Sequence, residues 1–133
     1  MTDTPAVGSI AWTDLTVENA TGVSDFYSAV TGWVPVGIPM GEYEDFAMSD
    51  VNGNGVSGVC HARGENANLP AQWLIYIVVA DLTASISKCE ELGGKVINGP
   101  RSHGTCRFAV IQDPAGAVAA LYEVGPTAEP SAE

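Results

Sequence analysis

The stretch SIAWTDLTV, residues 9 to 17, reads as a strand, and the pattern changes from residue 20 onward. In ATGVSDFYSAVTGW, Val23, Phe26, Tyr27 and Val30 recur at helical spacing and fall on one face, with Gly32 placed to end the helix. VPVGIP, EDFAMSD and VSGVCHAR follow as three short strands, separated by Pro-Met-Gly and Asn-Gly-Asn-Gly. The order is β-α-β-β-β. It recurs in the second half. WLIYIVV reads as a strand, and DLTASISKCEELGG as a helix with Leu82, Ile86, Cys89 and Leu92 inward. KVIN, TCRFAVIQ and AVAALYEV complete the set as strands.

Equivalent landmarks keep one spacing. Asn19 and Asp81, Gly32 and Gly94, Phe46 and Phe108, and Val56 and Val118 all lie 62 residues apart. A constant offset predicts an internal duplication with almost no insertion. The polar segment GENANLPAQ, residues 64 to 72, is the expected linker, and residues 125–133 the expected flexible tail of a single 133-residue domain. Each module alone is a sheet with a helix on one face, so its other face needs cover or lines a site. The predicted class is α+β: two tandem βαβββ modules, about 8–63 and 73–124, forming curved mixed sheets around a central cleft with the helices outside.

Charge narrows the partners. Five Lys and Arg against 16 Asp and Glu give a formal net charge of -11, which repels nucleic acid and anionic membranes alike. The N-terminal residues lack the basic start and apolar core of a signal peptide, and no apolar run approaches the ~20 residues of a membrane span; the expected location is cytoplasmic. Three cysteines, Cys60, Cys89 and Cys106, are odd in number and widely spaced. They fit reduced thiols better than disulfides or a zinc ribbon.

Paired modules of this size, with DFYSAVTGW in the first helix and ELGGKV followed by RFAVIQDPAGAVAALYE in the second half, resemble the vicinal oxygen chelate superfamily of glyoxalases, bleomycin-resistance proteins and extradiol dioxygenases. The resemblance spans roughly residues 8 to 124. It implies, for the enzymes, a metal held at four positions. Two lie on the first strands, seven residues before Asn19 and Asp81. The third lies seven residues after Asp113, and the fourth is its repeat equivalent. Here those positions are Trp12, Leu74, Ala120 and Gly58, none of which can coordinate a divalent cation. No metal and no other cofactor is therefore expected. The resemblance also implies a homodimer.

Glu123 ends the strand after Asp-Pro-Ala-Gly, and alternation points it away from the face of Val118, Ala120 and Tyr122. By the same rule Cys60 points inward and His61 outward. A metal site from Cys60, His103 and Cys106, the last two in the Gly-rich segment GPRSHGTCRF, is the alternative set of donors. Cys89 belongs to the helical stripe and reads as core. No nucleophile elbow or phosphate-binding glycine loop is present, and no catalytic residue is assigned. Asp14 shares the inward face of the first strand with Trp12 and Thr16. A carboxylate there calls for either an internal bond, to backbone or Arg107, or a ligand's polar or cationic group. The expected ligand-binding residues are Trp12, Asp14, Cys60, Leu74, Tyr76, His103 and Tyr122, over a floor of Val56, Val118 and Ala120. Two functions follow from this pattern: a metal-free, bleomycin-resistance-like protein that binds a small molecule, or a lyase or dioxygenase that recruits a metal through non-standard ligands.

Overall fold

The computed structural model describes residues 5–125. The elements follow the predicted order: β1 (Ile10–Val17), α1 (Ala20–Thr31), β2 (Val34–Pro39), β3 (Glu44–Ser49) and β4 (Gly55–His61), then β5 (Trp73–Val78), α2 (Leu82–Glu91), β6 (Lys95–His103), β7 (Cys106–Gln112) and β8 (Val118–Glu123). The linker carries a 3-10 turn, Gly64–Asn66. The class is mixed α+β, built of two βαβββ modules. Residues 12–74 form one compact unit, and residues 5–11 with 75–125 form the other.

In the first unit the strand order is β2-β3-β4-β1, with β1 parallel to β4 and the other pairs antiparallel. Asn19 caps α1 by accepting the Gly22 N–H at 3.0 Å, and Gly32, at φ 82°, ends it with its N–H on Ser28 O. The helix packs on the sheet through Ala20, Val23 and Tyr27, against Met48, Val59, Phe46 and Val17. This corrects the expected face. Phe26 and Val30 are 57% and 64% exposed, while Ala20 and Ser24 are buried. Small residues at i and i+4 let the helix lie close to the sheet, and the bulkier pair is turned toward solvent.

In the second unit the order is β5-β8-β7-β6, with β5 parallel to β8. Residues 8 and 9 bond to Val78 here, through Gly8 N–H to Val78 O and Val78 N–H to Ser9 O. Asp81 caps α2 by accepting the Ala84 N–H at 3.1 Å, and Leu82 and Ile86 pack against Ala109, Leu121 and Ile111. Leu92 lies past the last helical turn and is exposed, contrary to expectation. Cys89 is half-buried. The left-handed residue after α2 is Gly93 (φ 99°) rather than Gly94; this helix, Leu82–Glu91, is two residues shorter than Ala20–Thr31.

Register sharpens the repeat. Asp14 pairs Gly58 and Tyr76 pairs Ala120, so the offset of 62 holds across β1/β5 and β4/β8. It does not hold on the third strands. Phe46 pairs Val59 on the helix side, whereas Phe108 pairs Tyr122, and it is Ala109 that meets Leu121. Phe46 and Phe108 are therefore not equivalent; the offset there is 63. The same shift relates two matching turns. Asp50 Oδ1 accepts the N–H groups of Asn52 and Asn54, and Asp113 Oδ1 accepts those of Ala115 and Ala117, with Gly53 and Gly116 both at positive φ. A bulge in β4 restores 62: Met48 pairs Ser57 and Ser49 pairs Gly55, leaving Val56 as the extra residue. Val118 thus corresponds to Gly55, not to Val56. The expected tail lies outside the described residues from 126 onward, while Gly125 is buried against Thr105.

Candidate functional site

Each sheet has a face that its helix does not cover. In the first unit, α1 packs against Val17, Phe46 and Val59, so alternation sends Trp12, Asp14 and Thr16 of β1, Asp45 of β3, and Gly58 and Cys60 of β4 to the other face. There the Trp12 indole N–H donates to Asp14 Oδ1 at 2.6 Å. The carboxylate leans over its register partner Gly58. A Cβ on Gly58 would collide with Asp14 Oδ1 and stand 3.6 Å from Trp12 Nε1. The Trp12–Asp14 bond occupies the space in which a side chain at position 58 would begin.

Cys60 lies beside this pair. Its thiol shares a hydrogen bond with Asp45, and burial, followed by the charges of Asp14 and Asp45, raises its pKa far above the ordinary thiol range. It is a neutral donor, not a nucleophile. Asp45 is buried and also accepts the His61 N–H at 2.9 Å, with the His61 ring Nδ1 3.3 Å away. His61 is thus held against the Cys60 side of the strand end, not turned outward as alternation predicts. The Tyr43 ring meets the imidazole edge-on, and Arg63 stacks on Tyr43. Leu74, fully buried, accepts a bond from Thr13 Oγ1 through its carbonyl.

In the second unit α2 covers Ala109 and Leu121. The opposite face carries Tyr76, Phe108 and Tyr122, with ring centroids 6.1 Å apart for Tyr76–Phe108 and 6.5 Å for Tyr76–Tyr122. The Tyr122 hydroxyl donates to Cys106 Sγ at 3.1 Å; that bond and burial push the phenol up to about 12. The Arg101 guanidinium lies 4.7 Å from the centre of the Phe108 ring. Register places His103 opposite Cys106. Segment 99–103, in the Gly-rich GPRSHGTCRF, continues β6 beyond the expected strand KVIN.

The expected residues thus form two groups: Trp12, Asp14, Gly58, Cys60 and Leu74 in the first unit, and Tyr76, His103, Ala120 and Tyr122 in the second. Arg107, weighed as a partner of Asp14, bonds Thr83 Oγ1 at 3.1 Å. Glu123 does not point toward Tyr122's face. Its Oε1 accepts the Leu82 N–H at 2.6 Å, placing a negative charge at the start of α2. The residues present do not fit a divalent metal. The four family positions supply no donor, Leu74 and Ala120 are fully buried, and among the described residues no three His, Cys, Asp or Glu side chains form a metal-holding group. Arg101, Phe108 and Asp45 were not foreseen. Asp45 was legible as the alternation partner of Cys60, but Arg101 and Phe108 depended on the bulges.

Three comparisons place this geometry among known proteins. A model of the glyoxalase-like domain matches residues 12–122. An anthracycline biosynthesis protein, DnrV of Streptomyces peucetius, is 29% identical over 90% of this chain and 48% of its own length, so the chain spans about half of that relative. Methylmalonyl-CoA epimerase structures share the fold: that of Mycobacterium tuberculosis superposes with a TM-score of 0.58 at 15% identity, covering 95% of this chain and 94% of that one. A variant of the Streptomyces coelicolor enzyme gives 0.55 at 16% identity, over 91% and 100%. Among the described residues no helix is long and apolar enough to cross a membrane. The match over most of its length, together with the tandem βαβββ modules, makes this chain a member of the glyoxalase-like domain family of the vicinal oxygen chelate superfamily.

Proposed function

We propose that this protein binds a small organic molecule on the helix-free faces of its sheets without a catalytic metal, as bleomycin-resistance proteins of the superfamily do. The observation that carries the reading is the Trp12–Asp14 hydrogen bond folded over Gly58. It fills with an organic side-chain pair two of the positions that the enzymes give to metal ligands. The half-buried aromatic residues suit ring stacking, and the polar groups Asp14, Asp45 and Cys60 supply orientation. Three free thiols accord with a cytoplasmic setting. A homodimer is the proposed assembly.

The test has two arms. Purified protein dialysed against Ni, Zn, Mn or Fe is expected to retain no stoichiometric metal, and a metabolite panel enriched in polycyclic aromatics, the class suggested by the anthracycline-biosynthesis relative, is expected to yield compounds that raise the melting temperature. Stoichiometric metal that disappears on changing Cys60 or Cys106 would overturn this reading in favour of a metal-dependent lyase or dioxygenase. Light scattering reads the assembly state.

A further inference from the structure

We propose that the apolar row on β2, Val34, Val36 and Ile38 with Met40 beyond it, is the contact between two copies of this chain. The inference rests on the homodimer reading and names the surface that makes it.

Register places the row. Val34 pairs Ser49, Val36 pairs Ala47 and Ile38 pairs Asp45, so the three side chains stand on the helix-free face of the first sheet, at its outer strand. They and Met40 are 44% to 52% exposed. Large apolar side chains left half-exposed at every second position of one strand form a patch, not a scatter. The residues expected to meet a ligand on this face, Trp12, Asp14 and Cys60, lie farther in, on β1 and β4. A contact made by β2 does not use them.

The edge itself is closed to another strand. Met40 donates its N–H to Tyr43 O at 2.8 Å and continues the same register, so the N–H groups of Val34, Val36 and Ile38 turn toward β3. Positions 35, 37 and 39 turn outward, and Pro35 and Pro39 have no N–H. A partner strand would find only Gly37 as a donor. Cover for the patch comes through its side chains, not by extending the sheet.

Charge selects the occupant. From Trp33 to Gly41 the chain carries no charged residue, although its net charge is -11. The neighbouring acids of β3 are held elsewhere. Glu44 lies over Gly37 on the helix side, where a Cβ on Gly37 would be 2.6 Å from Glu44 Oε2, and Asp45 is buried against His61 and Cys60. Two copies of so acidic a chain repel each other over most of their surfaces. A twofold contact sets each patch against itself, and an uncharged patch does so without opposing like charges. A basic partner would be drawn to the acidic surfaces instead. The anthracycline-biosynthesis relative carries as many residues again on its one chain; a second copy of this chain brings the same addition.

Sedimentation velocity on the full chain, over a range of concentrations and in low and high salt, tests the assignment. A concentration-dependent dimer is expected. It should tighten as NaCl rises from about 0.02 to 0.5 M, because screening removes the repulsion between acidic chains and leaves the apolar contact. Val34→Glu and Val36→Glu, each checked for folding by circular dichroism, should raise the dissociation constant about a hundredfold or more, since the twofold sets each new carboxylate near its own copy. Val36→Ile, and Phe26→Glu on the exposed side of α1, should leave it within about threefold. A dimer that loosens with salt is held by ion pairs and overturns the inference without any variant. So does a dimer that survives both glutamates, or one that Phe26→Glu dissociates; in each of these cases the homodimer reading stands. A native protein that is monomeric at every concentration and salt overturns both.

Discussion

Adding one methyl group at Gly58 tests the geometry of the first face directly. Gly58 has an ordinary backbone conformation, so alanine costs no strain there and gains about 0.4–1 kcal/mol from a stiffer unfolded chain. Against this, the new Cβ meets Asp14 Oδ1 and lies 3.3 Å from Asp14 Cγ. Asp14 must rotate away, and the bond from Trp12 is lost. A hydrogen bond to a charged group is worth about 1.5–3 kcal/mol, less for a pair that is only half-buried, and crowding adds about 1 kcal/mol or more. The balance is a destabilisation of about 1–2 kcal/mol, or a fall of about 3–8 °C in melting temperature for a chain of this size. The decisive measurement is a double-mutant cycle by urea unfolding. In the Asp14→Ala background the obstructing carboxylate is gone, so Gly58→Ala should become neutral or stabilising, with a coupling of about 1 kcal/mol or more. An equal cost of Gly58→Ala in both backgrounds would refute the claim that position 58 is kept empty for Asp14.

Other consequences are simpler to read. Ser57 Oγ is fully buried and has no hydrogen-bond partner among the described residues, so Ser57→Ala should leave stability unchanged or raise it by up to about 1 kcal/mol, measured by urea unfolding. Glu123→Ala removes the acceptor for the Leu82 N–H at the start of α2; it should cost about 1–2 kcal/mol and leave any metal content unaltered, a combination that a ligand role for Glu123 would not give. Cys60 should be the slowest of the three thiols to alkylate, as mapped by mass spectrometry, and Asp45→Asn should speed it. The same burial has a pH signature. The folded thiol keeps its proton above the ordinary 9.0 while the unfolded one loses it, so this contribution is complete below pH 9 and stability declines as pH rises beyond it. Cys60→Ala should flatten that alkaline decline.

Element order and the helix caps could be read from the sequence because each leaves a local mark: Asn19, Asp81, the Asp-Pro-Ala-Gly turn, the 62-residue spacing. Packing depth did not show in the same way. Phe26 and Val30 look like core by hydrophobicity, yet a helix lying close on a sheet selects Ala20 and Ser24 for the contact. Register was the larger loss. A bulge adds one residue without any fixed composition, and since strand side chains alternate with period two, each bulge reverses the face of everything beyond it. Val56 looked like a strand position and is the bulge. Phe108 looked like the twin of Phe46 and stands on the opposite face. Asp14 was singled out correctly as a carboxylate in need of a partner; Trp12, two residues away on the same strand, supplies the bond.

The bulges also account for how two copies of one module came to carry different chemistry. The Asp50 and Asp113 turns have the same hydrogen bonds and a glycine at the same place, so the ends of the third strands are built alike. In the first module the strand leaving the turn contains the irregularity, and Phe46 stays in the helix-side core. In the second, β8 pairs regularly from Val118 to Glu123, and the irregularities sit in β6. Phe108 is thereby released to the open face and Arg101 is brought opposite it. The first open face has Asp14, Asp45 and a protonated Cys60; the second has three aromatic rings and a guanidinium. In the proposed metal-free binding, these divergent faces take over ligand orientation from the family's metal-donor positions, here Trp12, Gly58, Leu74 and Ala120, because hydrogen bonding to fixed carboxylates and ring stacking beside a guanidinium both discriminate by charge and shape.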